Sequence, residues 1–439
     1  MPQLKLLCTV LLLTVSCQIL ASQTFPKIMT MPIANTNYQD SAYQQQIAKF
    51  DIAILNFYPG WTGVTSAGTS VAMFDVVLAL KGLNPKMLLG EFSTLNEALD
   101  IANLTTDNKT VLNANNWWLL NAAGDRVQWT TAFNDYDVNF TKWSTPLKVS
   151  DGIGAVGDRY PQWLAKYLYG VYFQFNSGID ILYFNNVWEA PDAPILPKTT
   201  PANWKNTKGK NLSNQLNTDP VIASAYRSGQ AAEWATAHKL APYVLQMGDI
   251  NPKNNLSYPE YNGKLGAAFM DNTMGYGDSI ATTKGWVGMM NHYYNIFNRL
   301  KAPKIVGFDA AGDPADYQSF RFAYASCLLN NGYFSYTDIS STASASNLPL
   351  FFDEYSVSLG VAIDPPPVIN KAGVYRRHFK NGMVLLNSST TTAKVKVAGG
   401  YYHILGKQDP VANDGSAVKG ELSLPAKSGI VLINYKPES

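Results

Sequence analysis

Asp51-Ile-Ala-Ile-Leu-Asn-Phe-Tyr58 and Met87-Leu-Leu-Gly-Glu-Phe92 are the two runs whose reading decides the fold. Each is too short for a globular helix and apolar throughout, as expected of a strand covered on both faces. Between them Ser70 is placed to cap a helix. Val71, Phe74, Val77, Leu78 and Lys81 follow at helical spacing, and Gly82 stops the run. Pro85 then leads into the second strand. The result is one strand–helix–strand unit.

The unit recurs along the chain. Ile179–Phe184, Tyr243–Met247, Leu265–Met270, Lys304–Phe308 and Tyr333–Ser335 read as further buried strands. Helical spacing separates them over Arg159–Phe173, from Asp219-Pro220 to Leu240, over Trp286–Leu300, and from Asp313-Pro314 to Gly332. Seven strands are visible, and the eighth is expected between Trp117 and Phe140. Parallel strands with crossover helices at this length predict a (β/α)8 barrel; a doubly wound open sheet is the alternative. Ala190–Asn217 follows a strand and carries Pro191, Pro194, Pro197 and Pro201, which suits a rim or lid on the active face.

Two boundaries frame the barrel. Residues 1–22 open with Lys5, continue through the apolar run Leu6–Leu13 and end on Ala21 and Ser22, the pattern of a secretory signal peptide. Removing it takes Cys8 and Cys17 and leaves Cys327, so an exported protein without internal disulfides is expected. No later stretch is long enough to span a bilayer as a helix. Beyond Asp364-Pro-Pro-Pro367 the period shifts to short strands, with turns at Gly399-Gly400 and Asn413-Asp-Gly415. The expected organisation is a barrel over residues 23–366 and a small antiparallel β-sandwich over 370–439.

Charged residues make up 15% of the chain and the net charge is +2, which leaves no electrostatic footprint for nucleic acid. None of the four histidines has zinc-ligand spacing, so neither a metal nor a cofactor is expected. There is no Gly-x-Ser-x-Gly elbow. Gly152-Ile-Gly-Ala-Val-Gly157 fits the dinucleotide pattern only by letters, because no clear strand precedes it.

What remains is carboxylates at strand ends, where barrel enzymes place their chemistry. Glu91 and Asp271 directly follow apolar strands and are the foremost catalytic candidates. Asp309 ends the seventh strand. Asp353 and Glu354 follow the last one. Asp249 and Asp192 read as cap, loop or rim charges. A carboxylate pair suffices for glycoside hydrolysis, one member donating a proton while the other attacks or activates water. Ten Trp and 25 Tyr suit stacking on sugar rings, and Trp61, Trp117, Trp118 and Trp188 are candidates for that role.

The end of the chain is similar to the hypothetical glycosyl hydrolase family 15. Arg321 through Leu329-Asn-Asn-Gly332, Phe352-Asp-Glu-Tyr355, Gly373-Val-Tyr-Arg-Arg377 to Gly382, and Gly406-Lys-Gln-Asp409 to Gly415 carry the resemblance. The resemblance is strongest from Asp316 onward and looser over Asp51–Asp271. It implies a sugar-cleaving barrel with a C-terminal β domain, acting on a carbohydrate substrate or ligand. It also implies an Asp at the end of the fourth strand, where this chain reads Asp180-Ile-Leu-Tyr-Phe-Asn185-Asn186. An amide at Asn185 can hydrogen bond but cannot act as a nucleophile or base. Asn185, Asn186 and Asp309 are therefore expected to bind substrate. Three functions follow: an active hydrolase centred on Asp271, a silent glycan-binding barrel, or a surface structural protein.

Overall fold

The computed structural model describes residues 24–57, 61, 70–99, 106–119, 126, 128–130, 135–174, 176, 178–190, 220–251, 254, 256–275, 280–339 and 348–438. The expected leader and most of the Ala190–Asn217 segment, Asp192 included, lie outside these residues.

Eight parallel strands make the barrel: β1 Met29–Thr30, β2 Ile52–Leu55, β3 Leu88–Thr94, β4 Ile181–Asn185, β5 Leu245–Asp249, β6 Ala267–Met274, β7 Ile305–Gly312 and β8 Tyr333–Asp338. They pair in sequence order. A parallel bridge between Ile28 and Phe334, with Phe334 N–H donating to Lys27 O at 2.9 Å, brings β8 back to β1. The flanking helices are α1 Ser41–Ile47, α2 Ser70–Leu83, α3 Thr106–Ala114, α4 Tyr160–Leu168, α5 Pro220–Leu240, α6 Ile280–Arg299 and α7 Tyr317–Leu328.

The location of the missing strand is a correction. It is β1, at the start of the described chain, and not a segment between Trp117 and Phe140. Two residues are too few to show a period, so the strand leaves no sequence signal. The 117–140 region instead joins an insertion after β3, an antiparallel three-stranded sheet of Glu97–Leu99, Asp135–Asp137 and Gln128–Thr130.

Alternation along the strands builds two cores. Met29, Ile52, Ile54, Phe92, Ile181, Tyr183, Leu245, Met247, Phe269, Ile305 and Tyr333 fill the barrel interior. Their neighbours Ala53, Leu55, Leu89, Leu182, Phe184, Ala268, Val306 and Phe308 face the helices. The interior is packed solid. A side chain at Gly307 would come within 2.6 Å of both Met29 Sδ and the Phe269 ring. Phe92 stacks on Tyr183 at 5.3 Å, and Tyr183 meets Phe269 edge-on at 5.9 Å. These rings floor the C-terminal mouth.

The C-terminal unit has β9 Val374–Phe379, β10 Gly382–Asn387, β11 Ala393–Lys396, β12 Tyr402–His403, β13 Glu421–Leu424 and β14 Ser428–Ile433. Strands β9-β10-β14-β12 form one antiparallel sheet and β11-β13 a second. Met383, Leu385 and Leu432 pack between the sheets, while Val384, Leu386 and Val431 turn toward the barrel. Gly429 makes that approach possible, because a Cβ there would lie 2.5 Å from Arg321 O on α7.

Candidate active site

Strand parity selects the side chains that reach the mouth. On β4, Ile181 and Tyr183 point inward, so Asn185 does too. On β5, Leu245 and Met247 point inward, followed by Asp249. On β6, Ala267 and Phe269 lead to Asp271. On β7, Ile305 leads through Gly307 to Asp309. Three carboxylates thus face inward in the C-terminal halves of three neighbouring strands, beside the Tyr183–Phe269 pair.

Asp249 and Asp309 are 7% and 3% exposed. Asp271 is the member of the three that solvent reaches, although neighbouring protein atoms still desolvate its carboxyl. Burial raises the pKa of all three. The charge of Asp271 pushes Asp249 and Asp309 further up. Opposing this, Asn186 N–H donates to Asp249 Oδ2 at 3.4 Å, and Asp309 is pulled back by hydrogen bonds from Ser335, from the Asn272 backbone and from the Thr337 hydroxyl, the last at 3.3 Å. Asp249 Oδ1 is buried with no hydrogen-bond partner. Burying several negative charges this close is costly. The group therefore titrates as a unit: Asp271 ionises first, and the two deeper carboxyls keep their protons to higher pH. Glu97, from the insertion sheet, adds a fourth carboxylate at the edge, where it accepts from Asn186 Nδ2 at 3.1 Å. Asn186 makes this contact from a left-handed backbone, φ 58°, a conformation Asn tolerates.

Other expected site residues fall elsewhere. Glu91 lies on the opposite parity, between Leu89 and Ser93, facing the helix layer; it is fully buried, and neither of its oxygens has a partner. Burial pushes its pKa well above the carboxylate range. It follows an apolar run as Asp271 does, but one residue out of phase with the mouth.

Asp353 and Glu354 sit on a short 3-10 turn, Asp353–Ser356, that fastens the C-terminal unit. Asp353 Oδ2 accepts from Lys407 and Gln408 N–H at 2.7 Å each. Glu354 Oε1 accepts from Asn413 Nδ2 at 3.0 Å and lies 3.8 Å from Arg321 Nη1. One oxygen of each is thus held by or beside that unit, away from the mouth.

Among the tryptophans, Trp61, Trp117 and Trp118 are core. Their exposures are 2%, 0% and 4%, and each indole N–H is spent inside, on Asn56 O, Thr145 O and Asn113 Oδ1 respectively. Trp188, two residues beyond Asn186, is partly exposed.

Asp249 and Glu97 are the mouth residues that the sequence reading did not select. Asp249 had a usable signal, since it continues the inward phase of Leu245 and Met247 across Gly248. Glu97 had none, because an insertion sheet brings it to the mouth. Among the described residues no group of three or more His, Cys, Asp or Glu is arranged to hold a metal ion, and no helix is long and apolar enough to cross a membrane.

A parallel eight-stranded barrel with acids on its C-terminal rim defines the architectural class of many sugar-processing enzymes. Within that class, residues 199–383 match the model of hypothetical glycosyl hydrolase family 15, in agreement with the resemblance read from the sequence. Among solved structures the chain is similar to isomaltulose synthase from Klebsiella sp. LX3, with a TM-score of 0.50 at 11% identity over 93% of this chain and 98% of that one. An Anoxybacillus alpha-amylase gives 0.47 at 10% identity over 94% and 98% of the two chains. An alpha-galactosidase from Geobacillus stearothermophilus gives 0.46 at 11% identity over 93% of this chain; the match spans 55% of that protein's length. At 11% identity the likeness to the isomaltulose synthase carries the fold alone. No curated protein matches the chain.

Proposed function

We propose that the protein is an exported glycoside hydrolase working at the barrel mouth with Asp271 and Asp249. One observation carries this reading: the inward-facing Asp249, Asp271 and Asp309 stand in the C-terminal halves of three adjacent strands, with burial separating the order in which they ionise. Such a split supplies a protonated acid and a carboxylate in one site. Asp271, accessible and first to ionise, attacks the anomeric carbon or activates water. Asp249, deeper and still protonated, donates to the leaving oxygen. Asp309 keeps a second proton beside Asp271 and positions it. Trp188 offers a face to a neighbouring sugar ring. The residue 1–22 pattern supports export, and a polymeric or oligomeric glycan suits an exported enzyme.

Asn185 favours a second reading, a barrel that binds glycan without cleaving it. It points into the mouth at the position where the family resemblance implies Asp. Turnover on a panel of neutral, amino and acidic oligosaccharides decides between them. Wild type should release product, and Asp271→Asn and Asp249→Asn should not. If wild type binds a sugar and releases nothing from any of the panel, the hydrolase reading fails. Activity that appears only in Asn185→Asp would identify a binding protein derived from an enzyme.

A further inference from the structure

The turn that follows β4, Asn186–Glu189, is held in an unusual way. Loops at the C-terminal face of a barrel ordinarily leave carbonyls to solvent. Here four successive carbonyls each accept from a side chain of another element. Asn96 Nδ2, beside the insertion sheet, donates to Asn186 O. Asn254 Nδ2, in the β5–β6 connection, donates to Val187 O at 2.9 Å. Gln230 Nε2, on α5, donates to Trp188 O at 3.1 Å. Arg227 Nη1, one turn earlier on α5, donates to Glu189 O at 3.1 Å.

The donors are themselves fixed. Gln230 Oε1 accepts from the Tyr261 hydroxyl at 2.6 Å, and the same hydroxyl lies 3.0 Å from Trp188 O. Arg227 is held by Glu260, with Nε 3.3 Å from Oε2, and its guanidinium lies 3.7 Å from the Tyr258 ring centroid. Asn254 and Gln230 are 0% exposed, and Asn96, Tyr261 and Arg227 are all buried. Fully buried amides are costly unless satisfied, so placing them on one turn constrains that turn strongly. The backbone of the turn then faces the site. Asn186 N–H donates to Asp249 Oδ2, and Val187 N–H donates to Asp249 O at 3.0 Å.

We infer that Gln230 is a positioning residue for the mouth: through Trp188 O and Tyr261 it locks the Asn186–Glu189 turn, and the turn in turn orients the Asp249 carboxyl and the Trp188 ring. Gln230 Nε2 also lies 3.5 Å from Asn96 Oδ1, and the Asn96 amide holds Asn186 O, so both of its routes run to the same turn. The consequence for catalysis rests on the hydrolase reading; the lock itself does not. Releasing the turn removes the Asn186 N–H from Asp249. That donor favours the ionised form, so its loss raises the Asp249 pKa.

Two substitutions test this in the full chain. Gln230→Met keeps the volume and removes both polar atoms. Gln230→Glu, buried and therefore neutral, keeps one O–H donor and one acceptor. Hydrogen exchange is read on the segment 183–189, together with the pH dependence of glycan turnover. In Gln230→Met, exchange at Asn186–Trp188 should speed up at least tenfold while β6–β8 stay as in wild type. The alkaline limb of turnover, set by the Asp249 proton, should move up by half a unit or more. Gln230→Glu should restore both. If Gln230→Met does not fold, Tyr261→Phe, which removes a single hydroxyl, takes its place with the same expectations in smaller degree. Unchanged exchange at 186–188 overturns the lock. Faster exchange with an unmoved pH profile in an active enzyme overturns the positioning role and leaves the hydrolase reading intact. Faster exchange in a protein whose wild type cleaves no glycan removes the hydrolase reading and leaves the lock.

Discussion

Glu91 and Asp271 each end an apolar run, but their environments give them different tasks. Asp271 continues the inward phase of Ala267 and Phe269, whereas Glu91 continues the outward phase of Leu89. For Asp271→Asn, loss of an acid–base or nucleophilic carboxylate predicts a fall in kcat of roughly 100- to 10,000-fold, with sugar affinity within a few-fold of wild type. Comparing kcat with a direct binding isotherm checks this. For Glu91 the prediction concerns stability. Its folded pKa lies above the ordinary 4.5, because burial without a partner disfavours the charge. Stability linked to such a group is complete below the unfolded pKa and is lost as pH rises toward the folded value. Glu91→Met, similar in volume and apolar, escapes that loss. It should therefore stabilise the protein by about 2 kcal/mol near neutral pH, with the gain shrinking to little near pH 4. Urea midpoints at pH 4, 6 and 8 measure it; a gain that stays flat or falls with pH would refute the assignment. The sequence made strand ends legible, but not phase. In an all-apolar run such as Met87–Leu89 both faces are covered, so the letters do not show which way the next carboxylate points.

At the level of elements, the strongly periodic helices and longer strands were readable, because fifteen or twenty residues carry a visible pattern. The start of α5 at Pro220 matches the Asp219-Pro220 signal, and its end at Leu240 matches as well. The two-residue β1 and the insertion sheet were not readable, since their registers are fixed by tertiary pairing and not by local period. The same insertion explains Trp117. It looked available for sugar stacking, but it packs against Tyr160 and Trp163 at 5.6 and 5.9 Å where α4 closes over the insertion. How tightly α5 is seated there can be tested at Gly229. A Cβ at that position would lie 1.7 Å from Phe140 O, a backbone atom. Ala is favoured over Gly in a helix by about 1 kcal/mol, whereas overpacking against a fixed neighbour costs about 1–3 kcal/mol. With backbone on the other side the clash wins. Gly229→Ala should destabilise by about 2 kcal/mol in urea titration, and a stabilised variant would mean that α5 has room to move away from residue 140.

At the scale of the whole molecule, several residues of the motifs that carry the family resemblance join the two units. Arg321 on α7 lies 2.7 Å from Asp409 Oδ2 and 3.8 Å from Glu354 Oε1. Arg377 on β9, almost fully buried, donates to Leu328 O at 3.0 Å and to Asn331 Oδ1 at 2.7 Å. Sequence reading could identify these residues as a specific set but could not separate a structural carboxylate pair from a catalytic one, since both follow a strand. The structure gives Asp353 and Glu354 partners in the C-terminal unit. Burial raises the Glu354 pKa, and the Asn413 amide and the Arg321 charge pull it back. Arg321→Met removes the cation and leaves two carboxylates facing each other at the joint. Breaking a buried pair from one side costs about 3–5 kcal/mol, and the 20% exposure of the Asp409 side chain places this case near about 3 kcal/mol. The loss should appear as earlier unfolding in urea and as faster proteolysis in the exposed Ile363–Val368 connection, where Val368 is 81% exposed. Adding Glu354→Gln neutralises one of the stranded charges and should recover part of the loss, while Glu354→Gln alone should leave glycan turnover unchanged below its melting temperature. A tenfold or greater drop in turnover for that single variant, with the protein still folded, would return Glu354 to the active site and displace the latch.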